Sequence, residues 1–146
     1  MIGRTYFCLH NDAREQGKLS IIAYFTLSNR AIDISELGKN KKKAVLGDYP
    51  GRDGLKYAPT FLIGQLGRSD NYSHEDLPGD ILINECYYML SAVSKIIGGK
   101  TLVLDCRGHM YDNFYYEQGF KKLYDQPDEN GLWTVYKKLN FDEYAN

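Results

Sequence analysis

Two apolar runs, residues 60–66 and 101–105, flank a long helix-forming segment, and this arrangement restricts the fold more than any other stretch. The first run, TFLIGQL, has the length and composition of a buried strand. Residues 79–97 then set Leu82, Cys86, Met89, Leu90, Val93, Ile96 and Ile97 in steps of three and four, which predicts a helix with that stripe turned inward. Gly98-Gly99 ends it, because glycine reaches left-handed C-cap geometry at little cost. The second run, TLVLD, reads as a short buried strand. Strand, crossover helix and strand imply a parallel pair with a right-handed connection. Between the first strand and the helix the chain is polar and ends in Leu77-Pro78-Gly79. A strand leading through a turn into a helix N-terminus gathers backbone N–H groups where an anion can sit.

Upstream of this unit, residues 4–11 and 19–27 read as two strands of a hairpin, with 11–18 as the polar connection. Residues 28–33 are compatible with a continued strand. Ser35 is a candidate N-cap for a short basic helix reaching Lys43 or Val45. Residues 47–57, with Pro50-Gly51 and Asp53-Gly54, form a loop that ends at Pro59, just before the central strand. Downstream, 110–118 predicts a shorter helix stopped by Gly119, 120–124 a returning strand, 128–131 a turn and 132–139 a closing strand. The tail, 140–146, carries no signal. The whole, residues 1–146, reads as one α/β (α+β) domain.

Composition narrows the class. With 43% hydrophobic and 14% aromatic residues the chain can bury a core and is not disordered. The 13 tyrosines combine apolar rings with hydroxyls that need water or a partner, which suits a wide cleft or an interface. The net charge of -1 does not imply extended nucleic-acid binding, and its spread is uneven. Residues 1–60 hold ten Lys/Arg against six Asp/Glu, and residues 61–146 hold eight against thirteen. The local run with Lys39, Lys41, Lys42 and Lys43 reads first as a solvated helix face and second as a contact for a phosphate-rich partner. Cys8, Cys86 and Cys106, odd in number and widely spaced, form neither a disulfide framework nor a metal pattern, so reduced thiols in a cytoplasmic protein are expected. No signal peptide and no apolar run of membrane-spanning length is present.

Three pieces of the sequence resemble the Gcn5-related N-acetyltransferase (GNAT) family across nearly the whole chain. They are the strand Phe61-Leu62-Ile63-Gly64-Gln65-Leu66-Gly67-Arg68, the turn and helix start Leu77-Pro78-Gly79-Asp80-Ile81-Leu82-Ile83, and Phe114-Tyr115-Tyr116-Glu117-Gln118-Gly119-Phe120. The third is close to the family's Phe-Tyr-x-x-x-Gly-Phe ending and is the most specific. Arg4-Thr5-Tyr6 and Ala23-Tyr24-Phe25-Thr26-Leu27-Ser28 look like the toxin branch, whose members acetylate aminoacyl-tRNA. The resemblance implies a mixed central sheet with splayed parallel strands and flanking helices. It also departs from the family in two places. The phosphate loop, Gln/Arg-x-x-Gly-x-Gly/Ala, aligns here with His74 first, Leu77 at the middle glycine and Gly79 last. The strand and helices that usually precede the hairpin are absent from this sequence, which implies an N-terminally shortened domain or an upstream portion outside it.

By the same resemblance the co-substrate is acetyl-CoA and the acceptor a primary amine, on a small molecule or an aminoacyl-tRNA. An antitoxin protein and a second copy of the chain are the implied protein partners. Leu66, Gly67 and Arg68 would hold the acetyl carbonyl and the pantetheine arm. His74, Leu77, Pro78, Gly79 and Asp80 would lie along the pyrophosphate, with N–H groups offered by Leu77, Gly79 and Asp80. Pro78 offers none, and Asp80 serves equally well as a cap for its own helix. Tyr115 would donate to the departing thiolate and Asn113 would contact the cofactor arm. Among His74, Glu75, Asp105 and His109 no general base stands out, and an α-amino group, with a reference pKa of about 8, needs none. The degenerate loop keeps a second reading open, a catalytically impaired GNAT-like domain serving as an interaction or oligomerisation module.

Overall fold

The computed structural model describes residues 3–48 and 50–140, so the last six residues of the tail lie outside the described residues. Six strands form one mixed sheet in the order β1-β2-β3-β4-β6-β5. They are β1 (Arg4–Leu9), β2 (Ile21–Asp33), β3 (Tyr57–Arg68), β4 (Thr101–Arg107), β5 (Lys121–Lys122) and β6 (Leu132–Lys138). All neighbours are antiparallel except β3 and β4, the parallel pair expected around the crossover helix.

That helix, α3 (Gly79–Ile97), has the expected bounds and ends at Gly98, whose φ of 79° is left-handed. Its buried face is shifted from the expected stripe: Leu82, Ile83, Cys86, Tyr87, Leu90 and Ser91 are buried, whereas Ile96 is 83% and Ile97 71% exposed. The last turn is thus left largely open although the apolar periodicity continues through it. With Phe25, Phe61, Ile63, Leu102 and Leu104 the buried face makes the larger of two cores.

On the opposite sheet face, Ile32, Ile34, Ala58, Leu62, Val103, Leu123 and Tyr136 pack under Val45 of α2 (Lys39–Leu46). Gly38, not Ser35, precedes this helix. Ser35 instead donates from its N–H and hydroxyl to Asp33, an Asx-type turn that competes with capping. The hairpin connection holds a short helix, α1 (Asn11–Glu15), whose first turn is capped by His10 Nδ1 accepting from the Ala13 N–H. Residues 28–33 do continue β2. Pro59 lies inside β3, opposite Ala31. It is tolerated because β3 first pairs with β4 at Phe61, so the missing N–H falls where no partner strand requires it.

Two irregularities shape the region between β3, β4 and α3. On β3, Gln65 pairs with Thr26 and Ile63 with Leu27, which leaves Gly64 as an extra, unpaired residue. Such a bulge bends its strand and increases the local twist. After β4, α4 (Gly108–Met110) runs directly into a π-helical turn, Tyr111–Tyr115, closed by Tyr116 N–H to Tyr111 O at 2.8 Å.

Candidate active site

β3 and β4 pair at only two positions, Phe61 with Leu102 and Leu62 with Val103. Beyond them β3 runs six residues further and β4 four, and the strands part. The bulge at Gly64 falls just past the last pair, where β3 must turn away. A cavity of about 310 Å³ occupies the opening, lined by Ile63, Gly64, Gln65 and Leu66 on one side and by Leu104, Asp105, Cys106 and Arg107 on the other. Consecutive residues line it on both strands, so facing backbone edges are left free to pair with an inserted chain, as an added strand would.

A second cavity, about 350 Å³, continues from the gap to the start of α3, lined by Leu66, Gly67, Arg68, His74, Gly79 and Asn113 among others. The two cavities share Leu66, Met110 and Tyr115. At the far end, the N–H groups of Gly79 and Asp80 open α3, and no acceptor for either is found among the described residues. The helix dipole stands behind them, and N–H groups so placed suit a negatively charged partner. Gly79 has a second role: a Cβ there would stand 3.1 Å from the Phe114 ring.

The loop before α3 is tied at several points. Arg68 Nη1 donates to Leu77 O at 3.1 Å, joining the end of β3 to the helix entry. Asp76 accepts from the Ser73 N–H at 2.6 Å and from its hydroxyl, and these bonds hold its carboxyl below the usual range. Tyr72 hydrogen-bonds Ser20 and stacks on His10 at 5.8 Å, anchoring the loop to the first hairpin. The expected N–H of Leu77 is not available, since it donates to Ser73 O at 3.3 Å. Leu77, Pro78 and Asp80 are not among the residues that line the cavity, so Asp80 can take part only through the N–H beside that of Gly79. Asp80 Oδ1 accepts from the Ile81 N–H at 3.0 Å, the capping alternative.

Tyr115 sits at the junction of the two cavities, 7% exposed, with its ring edge-on to Phe114 and Phe120. Neighbouring Tyr116 is 65% exposed and packs edge-on against Tyr111. The wide turn separates their directions, and it is pinned by Tyr111 Oη to Phe120 O and Lys137 Nζ to Gln118 O. The Tyr115 hydroxyl has no hydrogen-bond partner among the described residues. Burial, with Cys106 and Cys86 nearby, pushes it up to about 12, so it stays protonated and able to donate.

The basic run does not approach either cavity. Lys42 is buried and donates to Asp53 O, Lys43 pairs with Asp48 at 3.3 Å, and α2 lies on the other sheet face. Cys86 and Cys106 are buried thiols pushed up to about 12 and about 11, mainly by burial, which makes them packing groups rather than nucleophiles. Among the described residues no helix is long and apolar enough to cross a membrane.

No protein-family model matches the sequence, and no curated protein sequence matches it. Solved structures do match the fold. A bacterial toxin superposes with a TM-score of 0.66 at 18% identity, over 86% of this chain and 63% of that one. The chain has the GNAT fold. A tyrosine-to-phenylalanine variant of the toxin AtaT, bound to the C-terminus of the antitoxin AtaR and acetyl-CoA, gives 0.64 at 15% identity, over 93% of this chain and 68% of that one. AtaT complexed with acetyl-methionyl-tRNAfMet gives 0.63 at 16%, over 91% and 70%. This chain therefore spans less than two thirds of the first of these structures and a little more of the other two.

Within this GNAT fold, seven of the ten sequence-expected site residues line one cavity: Leu66, Gly67, Arg68, His74, Gly79, Asn113 and Tyr115. Sequence reasoning missed Met110, which borders both cavities, and Tyr24, Gln65 and Arg107 around the gap. Tyr24 and Gln65 lie inside the family-like stretches without a role assigned to them, and Met110 and Arg107 carry no signal beyond their nearness to His109 and Asp105.

Proposed function

We propose that this chain is an acetyl-CoA-dependent N-acetyltransferase acting on a primary amine, and that the acceptor is the amino group of an aminoacyl-tRNA. The observation that carries the reading is the gap between β3 and β4, continuous with a helix N-terminus at one end and bordered by Tyr115 at the junction. An extended thioester-bearing arm ending in a pyrophosphate matches that shape and its chemistry: free strand edges for amides, Gly79 and Asp80 N–H groups for phosphate oxygens, Arg68 and His74 for the remaining negative charge. Acetyl-CoA supplies the activated acetyl group.

The chain's own groups divide the remaining work. Backbone N–H groups of β3 near Leu66 lie where a carbonyl oxygen gains charge, and stabilise it. The amine lone pair forms the new C–N bond as the C–S bond breaks, with that pair going to sulfur. Tyr115 donates a hydrogen bond to the departing sulfur and keeps its proton, while the thiolate is protonated from solvent, which balances the proton the amine gives up to it. An α-amino group, with a pKa of about 8, is partly neutral near physiological pH, so its lone pair is available without a dedicated base, and the proton shed on bond formation passes to water. This favours an aminoacyl acceptor over a lysine. Similarity to AtaT complexes with acetyl-methionyl-tRNAfMet and with an antitoxin C-terminus supports both the acceptor and an antitoxin protein as partner.

Adding acetyl-CoA tests the reading directly. At a hundredfold excess over Kd the folded state gains about 2.7 kcal/mol, which raises the melting temperature by roughly 5–10 °C in a chain of this size. No shift at saturating acetyl-CoA overturns the proposal.

A further inference from the structure

The gap carries a carboxylate held in place by two other strands. Asp105 Oδ2 accepts from Arg30 Nη1 of β2 at 2.9 Å, and Asp105 Oδ1 accepts from Thr134 Oγ1 of β6 at 2.7 Å. These bonds reach Asp105 from both sides of β4, past the point where β3 and β4 part. On β4, Val103 belongs to the α2-side core, and by two-residue alternation Asp105 shares that face, opposite the one α3 covers. We propose that Asp105 receives and orients the acceptor amine, with Arg30 and Thr134 as positioning residues. This inference rests on the acetyltransferase reading and deepens it.

Three features carry it. Asp105 is the one acidic side chain lining the gap among the described residues, while Arg107, the one cation there, repels an ammonium group. A carboxylate offers about four lone-pair directions, of which Arg30 and Thr134 occupy two, so acceptor capacity remains. The side chain is 31% exposed, and Asp105 lines the same cavity as Leu66 and Tyr115. An amine that donates an N–H to Asp105 therefore has its lone pair free to face the carbonyl carbon held near Leu66. Two anchors from separate strands fix the carboxylate before the amine arrives, which is the condition for productive orientation. Tyr24 frames the same mouth: its ring lies against Gly67, where a Cβ would come within 2.9 Å of it.

The test is calorimetric, on the full chain, with two ligands. One is acetyl-CoA. The other is a conjugate whose coenzyme A sulfur is joined through a CH2–CO bridge to the nitrogen of glycinamide, so that its N–H occupies the amine position. The wild-type chain should bind the conjugate at least tenfold more tightly than acetyl-CoA. Asp105→Asn should lose most of that advantage and keep its acetyl-CoA affinity within twofold. Thr134→Val should lose part of it, and Thr134→Ser should restore it. If Asp105→Asn does not fold, the Thr134 pair decides, and an unchanged advantage in Thr134→Val overturns the proposal. An undiminished advantage in Asp105→Asn, or none in the wild type, overturns it while acetyl-CoA binding stands. Failure of the wild type to bind either ligand removes the acetyltransferase reading itself.

Discussion

Replacing Tyr115 by phenylalanine separates stability from chemistry, because the two should move in opposite directions. The ring stays: it is buried against Phe114 and Phe120, and phenylalanine fills the same space. The hydroxyl has no protein partner among the described residues, so its loss breaks no internal bond. Relieving a partly buried, unpaired hydroxyl is neutral or stabilising, by about 0–1 kcal/mol. Turnover should fall. A phenol at about 12 cannot hand its proton outright to a thiolate whose conjugate acid has a pKa of about 8.5, since that transfer is uphill by roughly 5 kcal/mol. It can stabilise the departing sulfur through a charge-assisted hydrogen bond worth about 1.5–3 kcal/mol, and the thiolate takes its proton from solvent. The expected loss in kcat is therefore roughly 10- to 150-fold, with the Kd for acetyl-CoA changed less than threefold. Free thiol released per unit time gives kcat, calorimetry gives Kd, and a thermal melt gives stability. A kcat within threefold of wild type, or a fall explained by weaker cofactor binding, would refute the role assigned to the hydroxyl.

Burial, packing and the helix start each give a further expected outcome. Tyr115, Cys86 and Cys106 all sit above their ordinary pKa because burial disfavours their anions, so each binds its proton more tightly folded than unfolded. Their stability contribution is complete below about pH 9 and is lost as pH climbs toward 12, and a melting-temperature series should show this decline, shallower in Cys86→Ala relative to its own value at pH 8. Leu90→Ala, in the core, should cost about 2–5 kcal/mol in urea unfolding. Ile97→Gln, on the exposed end of the same helix, should stay within about 0.5 kcal/mol. Gly79→Ala should weaken acetyl-CoA binding and shrink the thermal shift, since its Cβ crowds Phe114 at 3.1 Å beside the N–H groups of the helix start.

Legibility from sequence divided along physical lines. The crossover unit and α3 were readable because local periodicity and the Gly98 stop agree with the tertiary packing. Ile96 and Ile97 misled because periodicity reports a helix face, not how far along the helix that face is covered. Ser35 misled because a hydroxyl that can cap a helix can also close a turn with Asp33. The cavity wall was largely legible through family resemblance at Gly67, Gly79 and Tyr115, whereas Leu77 was lost to a loop bond with Ser73 that no spacing announces. Arg30 and Thr134 were invisible, because only the folded sheet brings β2 and β6 to Asp105.

The unpaired Gly64 has a consequence of another kind. Strand faces alternate by residue, so one supernumerary residue is what lets Leu66 share the face of Ile63, three positions earlier, and what bends the strand between them. No exchange of one side chain for another at this point restores regular alternation. Excising the residue does: it would remove the bend and draw the strand toward its parallel neighbour, while Leu66 and Arg68 kept their partners Phe25 and Ala23 and the face they now occupy. The opening is thus written into the chain as a count of residues, and its integrity is better tracked through insertions and deletions in β3 than through substitutions.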